Sequence, residues 1–76
     1  MTHTEFWAVM ELVFPDGRAR SLAQDEVLPD LGSLTADEAL SAGIDPLQVW
    51  KSIIALMELP AHYEYLHRMN TSGNHA

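Results

Sequence analysis

Apolar residues recur along this chain at helical spacing, in blocks punctuated by proline and glycine. Phe6, Val9, Met10 and Val13 share one face of a 3.6-residue repeat, and Trp7 and Phe14 widen the stripe. A first helix is expected from about Thr4 to Phe14. Thr2 or Thr4 can cap it, and Glu5 suits the positive end of its dipole. Pro15 stops it, because the ring disfavours a helical residue before it and removes a donor. A second helix is expected from near Asp16, acting as its cap, to near Val27. Its narrow seam is Ala19, Leu22, Ala23 and Val27, and Gly17 is its weak point. Pro29 ends it, and Leu28 to Leu34 reads as a connector whose leucines pack inward.

Thr35 followed by Glu38 is a capping box for a short third helix, about Ala36 to Ala42. Gly43 supplies the left-handed residue that closes it. Asp45 then caps a fourth helix, with Pro46 at the first helical position, where a missing N–H costs nothing. This helix is expected to reach about Glu58. Leu47, Val49, Trp50, Ile53, Ile54, Leu56 and Met57 cover a wide arc, and Gln48, Lys51, Ser52, Ala55 and Glu58 form the opposite stripe. So wide an arc predicts a central helix touched by several neighbours. Pro60 starts a fifth helix, about Ala61 to Met69, docked by Tyr65, Leu66 and Met69. The expected fold is all-α, a compact orthogonal bundle of four to five short helices, with no convincing strand and a helix-turn-helix-like segment at 35–58. Residues 1–70 are expected to form a single helical domain and 71–76 a flexible C-terminal tail.

Composition narrows what such a domain does. A chain of 76 residues buries roughly 60% of its unfolded surface, so it has one modest core. It has no cysteine, which excludes disulfides and thiolate metal sites. Eleven Asp and Glu oppose four cations, Arg18, Arg20, Lys51 and Arg68, for a net charge of −7. That balance repels phosphate backbones and anionic membranes. The first seventeen residues hold no Lys or Arg, so the basic region of a signal peptide is missing, and Ile53 to Met57 is too short an apolar run to span a bilayer. A cytoplasmic location is expected.

Thr4-Glu5-Phe6-Trp7, Ala19-Arg20-Ser21, Asp25, Val27-Leu28, Leu31-Gly32, Thr35, Ala39-Leu40, Gly43 and Val49-Trp50 follow one another in an order that resembles the domain-of-unknown-function family 3046, short actinobacterial proteins. The resemblance covers about residues 2–60. It implies a small, helical, cofactor-free protein, encoded in many members beside genes of recombinational DNA repair. The sequence departs from the family pattern in three places. Leu34 replaces a basic residue, which weakens any phosphate contact. Ile54 replaces a common cysteine, so no thiol is needed there. The segment after Pro60 is longer than usual.

Few constellations carry chemistry. Ala39, Gly43, Ile44 and Val49 suit a helix-turn-helix, but its second helix offers DNA only Gln48, Lys51 and Ser52, with Asp37, Glu38 and Asp45 close by. The spacing therefore reads first as packing. His62 and His67 are badly spaced for one metal, and exposed side chains are the expected reading. Met1-Thr2-His3 has the pattern of a square-planar copper site, which requires Met1 to be retained. No metal and no cofactor is expected. No serine has a histidine and carboxylate in a recognisable motif, and Gly32 and Gly43 form no phosphate loop, so no catalytic residue is assigned and the protein is read as not an enzyme. Trp7 and Trp50 are expected to anchor the core, or one of them to stay partly exposed for a partner. Arg18 and Arg20 are expected to balance the acidic surface, against Asp16 or Asp25.

The leading reading is a non-enzymatic protein-interaction or regulatory module, with Trp7, Arg18, Arg20 and Lys51 as candidate partner-binding residues. The alternative is a nucleic-acid-associated, helix-turn-helix-like factor linked to DNA repair or recombination. An unidentified protein partner is expected, and tight direct binding of nucleic acid or membrane is not.

Overall fold

The computed structural model describes residues 1–66. The expected tail, Met69 and His67 lie outside them. The described residues form four α-helices: α1 (His3–Val13), α2 (Arg18–Asp25), α3 (Ala36–Ser41) and α4 (Pro46–Leu56). Thr2 is the cap of α1. Its hydroxyl accepts from the Glu5 N–H at 3.1 Å, and its own N–H donates to Glu5 Oε1 at 2.7 Å. Thr35 and Glu38 make the same reciprocal pair at the start of α3, and Asp45 Oδ1 accepts from the Leu47 N–H at 3.2 Å at the start of α4. Gly43, at φ 89°, closes α3 in a Schellman motif, with the Ile44 N–H donating to the Ala39 carbonyl at 3.0 Å.

Two expectations about the first half are corrected. Asp16 does not cap α2. Asp16 (φ 63°) and Gly17 (φ 82°) both occupy the left-handed region, and the Arg18 N–H donates to the Pro15 carbonyl. This is the positive-φ pattern that Asp-Gly favours in tight turns, and it leaves Gly17 at the N-cap position, with no side chain capping α2. The chain is also not purely helical. Val27–Leu28 (β1) and Leu34–Thr35 (β2) pair antiparallel, with Val27 opposite Thr35 and Leu28 opposite Leu34. Between them, Pro29–Leu31 forms a 3-10 turn. Val27 therefore leaves the α2 seam and is exposed, whereas Leu28 is fully buried and Leu31 and Leu34 pack on the core as expected.

The core gathers around α4. Trp50, Phe6, Met10, Leu28, Ile53, Val9 and Val49 are its largest fully buried side chains. Helix α4 packs on α1, α3, β1, the Pro29–Leu31 turn and the Ala61–Tyr65 segment, as its wide apolar arc predicts. Helices α2 and α3 pack on each other, and Ala19 and Ala23 of α2 and Ala36 and Ala39 of α3 are all at most 1% exposed. Small side chains let two helix backbones approach closely.

Three further expectations change in the second half. Ala61–Tyr65, the first part of the expected fifth helix, is a 3-10 helix, and the part of that helix from residue 67 to 69 lies outside the described residues. Tyr65 is exposed, and Tyr63 with Leu66 makes the contact. Ser52, placed on the polar stripe, is only 4% exposed, and its Oγ has no hydrogen-bond partner among the described residues. A buried hydroxyl without a partner loses its hydration without compensation. Ser52→Ala is therefore expected to raise stability by about 1 kcal/mol, read as a shift in the urea midpoint at constant slope. A lower midpoint would show that the hydroxyl contributes to the native state.

Candidate functional site

Helix α2 organises the surface that matters most. Its buried face is Ala19 and Ala23, which turns the two arginines to different sides. Residues two apart on an α-helix are separated by about 200° around its axis, so Arg18 and Arg20 form no joint basic patch. The guanidinium of Arg20 lies over the Trp7 ring, with its carbon 3.8 Å from the ring centroid. Trp7 in turn meets the Phe6 ring edge to face at 5.1 Å and 82°. Trp7 is half-buried, held between the core and this cation, whereas Trp50 is fully enclosed. Of the two tryptophans, only Trp50 is a fully buried anchor.

Arg18 points to the other side, into a surface cleft of about 540 Å³. Phe14 at the end of α1, Leu22 on α2 and Met57 at the C-cap of α4 are its apolar lining residues. Arg18, Ser21, Asp25 and Glu26 are its polar ones. Met57 is 38% exposed and Leu56 36%, so the apolar arc of α4 reaches the surface at its C-terminal end. The expected charge balance within α2 is absent: among the described residues neither arginine pairs with Asp16 or Asp25.

Lys51 lies apart from both features. Its Nζ is 3.4 Å from Glu64 Oε1, beside the hydrogen bond in which Trp50 Nε1 donates to the Tyr63 carbonyl at 3.0 Å. The structure therefore brings Trp7 and Arg20 together and leaves Arg18 and Lys51 in separate places. It adds Phe14, Leu22, Asp25, Glu26 and Met57, which the sequence reading did not connect. The lining comes from three helices and only their packing joins it.

The other candidate chemistry has little support in the geometry. The Thr2 N–H that a copper site would have to deprotonate is the donor in the α1 capping box. His62 lies edge to face with Tyr63 at 5.0 Å. Among the described residues no three His, Asp or Glu side chains converge as metal ligands, and no helix is long and apolar enough to cross a membrane.

These features define a small, mostly helical protein with a closed core around α4 and an open apolar cleft beside α2. The chain belongs to the family described as "Protein of unknown function (DUF3046)", whose model matches residues 1–62 and so takes in all four helices and both strands. No curated protein and no solved structure matches it.

Proposed function

We propose that this protein is a non-enzymatic, cytoplasmic docking module, an orthogonal helical bundle that binds a protein partner through the cleft between α1, α2 and the end of α4. The carrying observation is the cleft itself: Phe14, Leu22 and Met57 line an open recess on a domain whose other large side chains are mostly packed away. Apolar pockets with a polar rim are where interface anchors insert. The helix-turn-helix spacing of α3 and α4 is read as packing. Val49, Trp50, Ile53 and Ile54 of α4 are buried, and its lysine is held by Glu64, so little of that helix is left to enter a DNA groove.

Two measurements test this reading. Tagged full-length protein is recovered from its own cells beside Met57→Glu and the distant surface variant Gln48→Glu. A protein retained by the wild type and Gln48→Glu but lost with Met57→Glu is the expected result. A partner set that Met57→Glu leaves unchanged would overturn the cleft assignment. Fluorescence anisotropy with duplex and single-stranded oligonucleotides at physiological salt should show no saturable binding at micromolar protein. Salt-sensitive saturation there would favour the nucleic-acid reading, since each neutralised phosphate adds to the salt slope.

A further inference from the structure

Helix α2 carries its charges against its own dipole. Arg18 and Arg20 occupy its first turn, which holds no carboxylate. Asp25 ends its last turn, Glu26 is its C-cap, and no cation is present there. The N-terminal end of a helix is its positive pole and the C-terminal end its negative pole, so both placements oppose helix stability. Among the described residues only one of the four groups is compensated, Arg20, which rests on Trp7. Among the described residues, the side chains of Arg18, Asp25 and Glu26 make no hydrogen bond or ion pair. Folding alone therefore does not explain why two carboxylates stand at the negative end of α2. Both border the cleft floored by Phe14, Leu22 and Met57.

We propose that this cleft receives an amphipathic helix of a partner protein. Its bulky apolar residue sits on Phe14, Leu22 and Met57, and a lysine or arginine one turn away meets Asp25 and Glu26. This rests on the docking reading of the preceding section and adds the partner's chemistry. The carbonyl end of α2 and two carboxylates, on a chain of net charge −7, concentrate negative potential at one rim of an apolar recess. A cation placed there relieves the repulsion that α2 cannot relieve for itself. Arg18, at the opposite end of α2, sets the direction by favouring an acidic residue at the other end of the occupant. A helix is the fitting form, because apolar anchors spaced three or four residues apart suit a groove between helices. An added strand would need a longer edge than two-residue strands offer.

The experiment pans a displayed library of amphipathic helical peptides against the full-length protein, against Met57→Glu, and against the double variant Asp25→Lys, Glu26→Lys. Ser21→Arg, at an exposed wall of the cleft, is a second blocking variant if Met57→Glu fails to fold. The wild type is expected to enrich peptides that pair a bulky apolar residue with Lys or Arg one turn away, and the blocking variants to lose them. The double variant should bind those peptides at least about tenfold more weakly and select acidic flanks instead. It should also melt about a few degrees higher, because its new charges agree with the dipole. Tighter folding with weaker binding is the combination that a purely structural role for Asp25 and Glu26 would not produce. Peptides with apolar anchors and no basic excess, still lost in the blocking variants, would overturn the partner chemistry and leave the docking cleft standing. No enrichment that depends on Met57 or Ser21 would overturn both. A lower melting temperature in the double variant would assign the carboxylates to the fold and overturn the inference.

Discussion

Trp50→Ala is expected to cost about 3–5 kcal/mol, the range for removing a large buried aromatic side chain. A domain of this size has a total stability of only about 4–11 kcal/mol, by the usual yield of roughly 0.05–0.15 kcal/mol per residue, so the variant should lose a large share of it and unfold at a much lower denaturant concentration. The cost has two sources. Trp50 is fully buried on the helix that α1, α3, β1 and the Ala61–Tyr65 segment all touch, so no single neighbour can move in to fill the space. Its Nε1 also donates to the Tyr63 carbonyl, the hydrogen bond that pins the last described segment to α4. Trp50→Phe separates the two, keeping most of the apolar volume and losing the donor, with an expected cost nearer 1–2 kcal/mol, about that of one unmade hydrogen bond plus a small cavity. Chemical denaturation followed by far-ultraviolet circular dichroism checks both. An unchanged midpoint for Trp50→Ala would refute the position of α4 at the centre of the core.

Ala23→Leu tests the opposite limit, a place with no room. Ala19 and Ala23 of α2 and Ala36 and Ala39 of α3 are all buried, and these two helices pack directly on each other. The added methyl and methylene groups have no open space to enter at this fully buried position and must push the elements packed on α2 apart. Overpacking of this kind costs about 1–3 kcal/mol. Gln24→Leu, one residue on and exposed, is the matched control, and surface changes of that sort stay within about 0.5 kcal/mol. The same denaturation midpoints decide the comparison. Equal midpoints for the two variants would show that α2 and α3 are not closely apposed. A shift confined to Ala23→Leu would also change the cleft, since Leu22 and Asp25 ride on the same helix.

The helix starts were legible in the residues because capping is local. Thr35 and Glu38 satisfy free amides within three positions, Asp45 accepts from the Leu47 N–H, and Pro46 has no N–H to satisfy, so no distant contact is needed to recognise these starts. The Asp16-Gly17 pair also carried a local signal, but for a tight turn instead of a cap, and α2 begins two residues later as a result. The hairpin of Val27–Leu28 and Leu34–Thr35 left no readable pattern. Two-residue strands are too short for alternation to show, and their pairing depends on the turn at Pro29–Leu31 folding back. The cleft proposed as a docking site was legible only in part. The charges of α2 that oppose its dipole can be seen in the sequence, but Arg18 and Arg20 look like one basic pair until the helix turns them apart.

The sequence by itself determined the helical content, the acidic character, the absence of cysteine chemistry and the dominance of α4, because periodicity, capping and composition act over a few neighbouring residues. Tertiary packing decided the rest. It enclosed Trp50 and left Trp7 half-covered under Arg20, though both lie on apolar stripes. It buried Ser52 from what reads as a polar stripe, and it brought Met57 to the surface beside Phe14 and Leu22. The physical reason is that burial belongs to the space between elements. The relative placement of α1, α2 and α4 sets which residue of an apolar stripe is covered and which lines a cleft, and no local pattern encodes that placement.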